Sequence, residues 1–158
     1  GQIRPLMNQH RFDHTLRVRD TALEIAISNG YEAINKVIVA AMYHDICKQC
    51  SENEILKICE KADTEMYPTW HTLHGLAASI VMEQKYGIRD REVLNAVKNH
   101  CVPSPNIDTL GKIIYLADKL EPSRTKEDIP NRKKYLNLAC HNIDEAFEKV
   151  HKITQEKY

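Results

Sequence analysis

The residues best suited to chemistry in this sequence are a histidine and an aspartate in direct succession, His44-Asp45, at the end of an apolar stretch. Polar side chains buried at the end of a core helix need partners. A neutral imidazole nitrogen and a carboxylate oxygen together suit manganese, iron, cobalt or zinc. The alternative is that the pair has no chemical role. His44 would then be a charged histidine favoured by the C-terminal helix dipole, and Asp45 a solvated aspartate. The pair in isolation therefore leaves metal binding and a structural role open.

Further polar residues accompany this pair at positions that helices would bring together. They lie at the ends of helical segments or inside an apolar one: His14, His74, His100 and Asp118. Helical bundles commonly build metal sites from inward-facing side chains on several helices. Taken singly, each histidine is better explained as a core or surface residue. The whole set instead predicts one metal centre to which five helices contribute.

The elements that position these residues are predicted to be helices. Apolar residues recur at intervals of three and four, and no stretch alternates with period two for long enough to form a sheet. The predicted helices run over about 13–28, 32–45, 73–86 and 90–100, with others after Ser51 and Asp108 and a last amphipathic helix carrying Ile143, Ala146, Phe147 and Val150. The predicted fold class is therefore all-α.

Short sequence signals mark the ends of these helices. The start signals are a capping box at 51–54 and N-cap aspartates at Asp90 and Asp108. The stop signals are Asn29-Gly30, Gly87 and Pro122. The segment from Ser123 to Lys134 is rich in charge and contains Pro130, so it is predicted to be an exposed connection.

Length and charge narrow the class of protein. A chain of 158 residues suits one domain, expected to span residues 1–158. Lysine plus arginine and aspartate plus glutamate both number 22, which predicts no non-specific binding to nucleic acid or to an anionic membrane. No apolar run approaches the roughly 18 residues of a membrane span, and no signal-peptide pattern opens the chain. A cytoplasmic location is expected.

Five cysteines make an odd number in a chain too large to need disulfide bonds, so reduced thiols are expected. Cys47 and Cys50 form a C-x-x-C motif, which fits a redox pair or half of a zinc site. No second C-x-x-C follows and no βαβ pattern surrounds it, and both absences disfavour these two interpretations.

Three motifs, His14, His44-Asp45 and Asp118, match in order the H…HD…D signature of the HD-domain phosphohydrolases. More selective stretches resemble the YqeK family, described as symmetrical diadenosine tetraphosphate hydrolases: HDICK at 44–48, His74-Gly75, Asn99-His100 and LADKLEPSR at 116–124. The similarity extends from about Arg11 to about Asp144. It implies an HD-domain helical bundle with a metal centre in its core.

The resemblance also implies the ligands and the reaction. One metal would be held by His14, His44, Asp45 and Asp118, and a second by His74 and His100, with Asp45 bridging the two. Iron is the favoured metal, with manganese, cobalt or zinc as alternatives. A metal-bridging hydroxide would attack the polyphosphate and convert diadenosine tetraphosphate and water into two ADP. The expected partner is thus a small nucleotide.

Three cationic residues are candidates for binding phosphate. Lys48 lies three residues after Asp45, within reach of a phosphate at the metals, and is also a candidate catalytic residue, although a solvated lysine fits the sequence equally well. Arg124 offers a planar fork for phosphate oxygens, and Arg11 lies about one helical turn before His14.

Other functions stay open at this level. The same centre suits another nucleotide or deoxynucleotide phosphohydrolase, because metals and cations recognise phosphate and not the base. A non-catalytic module that binds a nucleotide or a metal is a second alternative. The Cys47/Cys50 redox pair is a third. A homodimer is an expectation only, since one domain can bury all the apolar stripes.

Overall fold

The computed structural model describes residues 7–124 and 129–156, and within these ranges the regular elements are helical, which confirms the predicted fold class. In chain order they are α1 (Gln9–Ser28), α2 (Ile34–Tyr43), α3 (Glu52–Ile58), a 3₁₀ turn (Trp70–Leu73), α4 (His74–Gln84), α5 (Arg91–Lys98), α6 (Thr109–Leu120), α7 (Arg132–His141) and α8 (Ile143–Glu156). No helix in these ranges has the length and apolar character needed to cross a membrane.

The starts of the helices follow local capping chemistry. Ser51 and Glu54 form the predicted capping box, and the side chains of Asp90 and Asp108 accept hydrogen bonds from the backbone of α5 and α6. One start differs from the prediction. The side chain of Asn8 accepts from the backbone N–H of Arg11, so α1 begins at Gln9 and not at about residue 13. His14 therefore lies in the second turn of α1.

The ends of two helices place site residues in turns. Helix α2 ends at Tyr43, so His44 is its C-cap and Asp45 follows in a turn, where the sequence predicted both inside the helix. Helix α5 ends at Lys98, and His100 lies in the turn beyond it. Because each turn leaves its helix axis, the side chains of Asp45 and His100 are directed towards the bundle interior, where both are buried.

The carboxyl-terminal part departs from the prediction. The connection predicted from Ser123 to Lys134 ends earlier in the structure, because α7 begins at Arg132. Residues 125–128 of that connection lie outside the described residues. The single last helix is in fact two, which meet at Asn142. The side chain of Asn142 accepts from the backbone N–H of Glu145 at 3.2 Å, so this residue caps the start of α8.

Helix α6 forms the middle of the bundle. It packs against α1, α2, α5, α7 and α8. Nine of its twelve residues are buried, so it is covered on nearly all sides. One of the buried residues is Asp118, an ionisable group in an apolar helix. Burial of a carboxylate is costly unless it is paired, so Asp118 marks the position where polar groups of other helices converge.

Candidate metal centre

Asp45 lies between two pairs of histidines and presents one carboxylate oxygen to each. Its Oδ2 is 3.6 Å from Nε2 of His14 and 3.4 Å from Nε2 of His44. Its Oδ1 is 3.5 Å from Nε2 of His74 and 3.3 Å from Nε2 of His100. The side chain is 3% exposed. One buried carboxylate thus joins two groups of potential ligands.

Asp118 completes the first group. Its Oδ1 lies 3.1 Å from Nε2 of His14 and 3.3 Å from Nε2 of His44. One donor atom from each of these two histidines and from Asp45 and Asp118 lies within 4.8 Å of the others, and all four residues are buried. Together with His74 and His100, the structure brings all six predicted ligand residues to one place.

Hydrogen bonds orient three of the imidazoles towards this place. In each, Nδ1 faces the backbone carbonyl three residues earlier, at 2.6 Å for His44, 2.9 Å for His74 and 2.7 Å for His100. A carbonyl only accepts, so Nδ1 carries a proton, and Nε2 is the nitrogen that faces the carboxylates of the site. This is the usual arrangement of metal-binding histidines. Two such nitrogens, of His74 and His100, lie 3.1 Å apart, a contact that suits a cation between them.

The fourth imidazole is oriented by a carboxylate that the sequence analysis missed. Nδ1 of His14 lies 3.2 Å from Oε2 of Glu121, whose side chain is fully buried. Arg17 and Ser123 also donate to Glu121, at 3.2 Å and 2.8 Å. The sequence did contain a signal for this role, because Glu121 is an acidic residue between an apolar helix and Pro122. A residue before proline adopts an extended conformation, which turns the side chain of Glu121 away from the helix.

Gly75 explains how the second histidine pair can form. A Cβ added at Gly75 would lie 2.9 Å from the carbonyl oxygen of Val97 and 3.0 Å from Nδ1 of His100. The first turn of α4 therefore packs directly on the end of α5. A side chain at this position would push apart the two helices that carry His74 and His100.

Among the described residues, three cationic side chains contact the two aspartates of the site. Nη1 of Arg11 is 2.9 Å from Oδ2 of Asp45, and Nη2 of Arg124 is 3.4 Å from Oδ1 of Asp118. Nζ of Lys119 is 3.1 Å from Oδ2 of Asp118. Lys119 was not among the predicted residues. Lys48, which was, is exposed in the turn after Asp45, and no ion pair within the described ranges includes it.

The electrostatic environment keeps both aspartates ionised. Burial alone would raise the pKa of Asp45, but the charge of His44 and hydrogen bonds with His100 and His74 bring that pKa well below its usual value. Burial also opposes ionisation of Asp118, and the charge of Lys119 and hydrogen bonds with His14 and His44 lower its pKa well below the usual value. The site therefore offers anionic oxygens to a cation.

Cys101 is a further residue that the sequence analysis missed at this site. Its Sγ lies 3.1 Å from Nε2 of His74 and 3.6 Å from Nε2 of His100. Burial raises the pKa of this thiol, but the charge of His100 and hydrogen bonds with both histidines lower it to about 5. The available signal was its position directly after His100. From the sequence, Cys101 was expected only to be a reduced thiol.

The C-x-x-C motif has a different environment. Cys47 and Cys50 are both free thiols in the structure. Burial raises the pKa of each, above the ordinary value of a cysteine. Since the thiolate is the reactive form, this environment disfavours thiol chemistry at neutral pH.

Known proteins share this arrangement of helices. The family model described as HD domain matches residues 11–123. A crystal structure of a predicted HD superfamily hydrolase involved in NAD metabolism from Clostridium acetobutylicum has a TM-score of 0.82 at 31% identity. The match covers 96% of this chain and 82% of that one.

Curated relatives carry names of hydrolases. A probable nicotinate-nucleotide adenylyltransferase/Ap4A hydrolase of Mycoplasma genitalium is 35% identical over 92% of this chain. A symmetrical bis(5'-nucleosyl)-tetraphosphatase of Staphylococcus aureus is 35% identical over 74% of this chain and 61% of its own length. The chain spans 42% of the Mycoplasma genitalium relative. The matching family model extends over most of the sequence and over nearly all of the five helices that carry the site residues or lead into their turns, so the chain belongs to the HD-domain family of hydrolases.

Proposed function

We propose that this chain is a metal-dependent hydrolase that converts diadenosine tetraphosphate and water into two ADP. The observation that carries the proposal is Asp45, whose two oxygens face two separate histidine pairs. A carboxylate placed in this way could be shared by two metals, and two-metal centres are common in enzymes that cleave phosphate esters. The names of the relatives from Staphylococcus aureus and Mycoplasma genitalium support the choice of substrate.

The proposed ligands divide into two positions. The first position uses His14, His44, Asp45 and Asp118, and the second uses Asp45 with the remaining pair, His74 and His100. Mixed nitrogen and oxygen donors accept iron, manganese, cobalt or zinc, and the family resemblance favours iron. When bound, such cations lower the pKa of a water molecule and neutralise charge on phosphate oxygens.

The chain's own residues contribute orientation and positive charge. Hydrogen bonds at Nδ1 hold the imidazole rings in place before any substrate arrives. The guanidinium groups of Arg11 and Arg124 lie at the carboxylates and are proposed to bind phosphate oxygens, with Lys48 reaching in from the adjacent exposed turn. Charge that builds on those oxygens during displacement is stabilised by these cations.

The bond changes follow from the position of attack. The water oxygen forms a bond to one of the two central phosphorus atoms, and the bridging P–O bond between the two central phosphates breaks. One ADP leaves with the bridging oxygen and the second ADP carries the water oxygen. One water proton passes to solvent, and the other stays on a terminal phosphate of the products until that phosphate ionises. We therefore expect ADP as the sole product when the chain, reconstituted with iron, manganese or cobalt, is incubated with diadenosine tetraphosphate and the nucleotides are separated by chromatography.

Two other results of this assay would contradict the proposed reaction in part or in full. AMP together with ATP would contradict symmetrical cleavage while retaining a phosphohydrolase. Intact diadenosine tetraphosphate under all three metals would contradict the proposed reaction. In that case a panel of nucleotides and deoxynucleotides, assayed for both turnover and binding, separates a phosphohydrolase of different specificity from a non-catalytic binding module.

Glu121→Gln is expected to weaken metal binding by about 10- to 100-fold, the usual effect of altering a residue that orients a metal-binding histidine. Glutamine has nearly the same size as glutamate but lacks the charge that His14 and Arg17 face. Titration calorimetry with manganese measures the change. Glu148→Gln, at an exposed position of α8, is the matched control. Equal manganese affinity in both variants would contradict the role of Glu121.

A further inference from the structure

A thiol lies beside the second histidine pair, and the function proposed above makes no use of it. One donor atom each from Cys101, His74 and His100 lies within 4.8 Å of the others. The two imidazoles also face Oδ1 of Asp45, at 3.5 Å and 3.3 Å. One sulfur, two nitrogen and one oxygen donor thus lie close together at this position.

We propose that Cys101 is a ligand of the metal in the second position, so that this position is a Cys-His-His-Asp site. This inference rests on the two-metal centre of the proposed function. A thiolate is a softer donor than the groups of the first position, where the donors are only nitrogen and oxygen. The second position would therefore prefer zinc, cobalt or iron to manganese. The first position would discriminate less between manganese and these three metals.

The distances between donor atoms are compatible with this assignment. Tetrahedral zinc with Zn–N of about 2.0 Å and Zn–S of about 2.3 Å separates neighbouring ligand atoms by about 3.3 to 3.6 Å. Here the two Nε2 atoms are 3.1 Å apart, and Sγ of Cys101 lies 3.1 Å and 3.6 Å from them. Movements of a few tenths of an ångström suffice to bring these separations to the expected values.

Packing holds the thiol close to the histidines. Cys101 directly follows His100, in the turn that ends α5. A Cβ added at Gly75 would lie 3.2 Å from Sγ of Cys101, so the first turn of α4 approaches the sulfur from the other side. The backbone that positions His74 and His100 therefore also positions the sulfur, independently of any metal.

Cobalt(II) distinguishes a ligand from a neighbour, because only a coordinated thiolate gives a sulfur-to-cobalt charge-transfer band in the near ultraviolet. The full chain is titrated with cobalt(II), and bound metal is counted by elemental analysis. We expect two cobalt ions per chain and the band in the wild type and in Cys140→Ser, a cysteine of α7 outside the site. In Cys101→Ser the band is absent and zinc affinity of one position falls by at least about tenfold.

Each alternative result is decisive. A wild type that binds two cobalt ions without the band, or a Cys101→Ser variant that keeps the band, overturns the ligand role of Cys101 and leaves the two-metal centre intact. A thiol that only donates a hydrogen bond to His74 gives the first of these results. A wild type that binds no cobalt overturns both proposals. The wild-type spectrum tests the inference without any variant, so misfolding of Cys101→Ser cannot hide the answer.

Discussion

Asp45→Ala is expected to remove metal from both positions and to lower the hydrolysis of diadenosine tetraphosphate at least about a thousandfold, the upper range for loss of one group that stabilises a transition state. The reason is that Asp45 faces both histidine pairs, with Oδ2 towards His14 and His44 and Oδ1 towards His74 and His100. Metal per chain and the rate at saturating substrate are the two measurements.

The matched control is Asp20→Ala, in the same chain but on an exposed part of α1, where the side chain is 67% exposed. This variant should keep two metals and the wild-type rate. Circular dichroism establishes that both variants are folded. Asp45→Ala with two bound metals, or with a rate within tenfold of the wild type, would show that the bridging role is wrong.

Chelation of the metal is expected to lower the melting temperature by about 5 to 11 °C. A ligand at a hundred times its Kd stabilises the folded state by about 2.7 kcal/mol, and each kcal/mol corresponds to about 2 to 4 °C in a chain of this size. The donors come from α1, α4, α6 and the turns after α2 and α5, so the site exists only in the folded chain. Thermal unfolding before and after chelation, and after metal is restored, measures the shift.

The Asp45→Ala variant supplies the control for this second experiment. It has lost the carboxylate that joins the two positions, so a chelator should leave its melting temperature unchanged. A shift of equal size in the variant and the wild type would mean that the stabilising metal binds elsewhere. No shift in the wild type would contradict a metal centre inside the bundle, because binding to the folded state alone must stabilise it.

Most helices were predictable because their signals are local. Asp90 and Asp108 accept hydrogen bonds from the backbone three residues further on, and Gly30 and Gly87 adopt positive φ angles of 72° and 67° where helices end. The two helices at the carboxyl terminus were not separated. The boundary between them depends on Asn142, which has a polar side chain like many exposed helical residues and no glycine or proline beside it.

The sequence drew attention to the six predicted ligand residues through their types and spacing, since a rare polar group in an apolar helix stands out without any knowledge of packing, and the family resemblance supplied their roles. Their division into two groups around Asp45 was expected from the family resemblance, and the distances that support it come from the packed bundle.

The contact between His14 and Glu121 joins residues 107 positions apart, across α1 and the end of α6. Cys101 meets His74 only because α4 packs on α5 at Gly75. Such contacts arise from the way helices pack against each other, and neither periodicity nor capping within one helix encodes them.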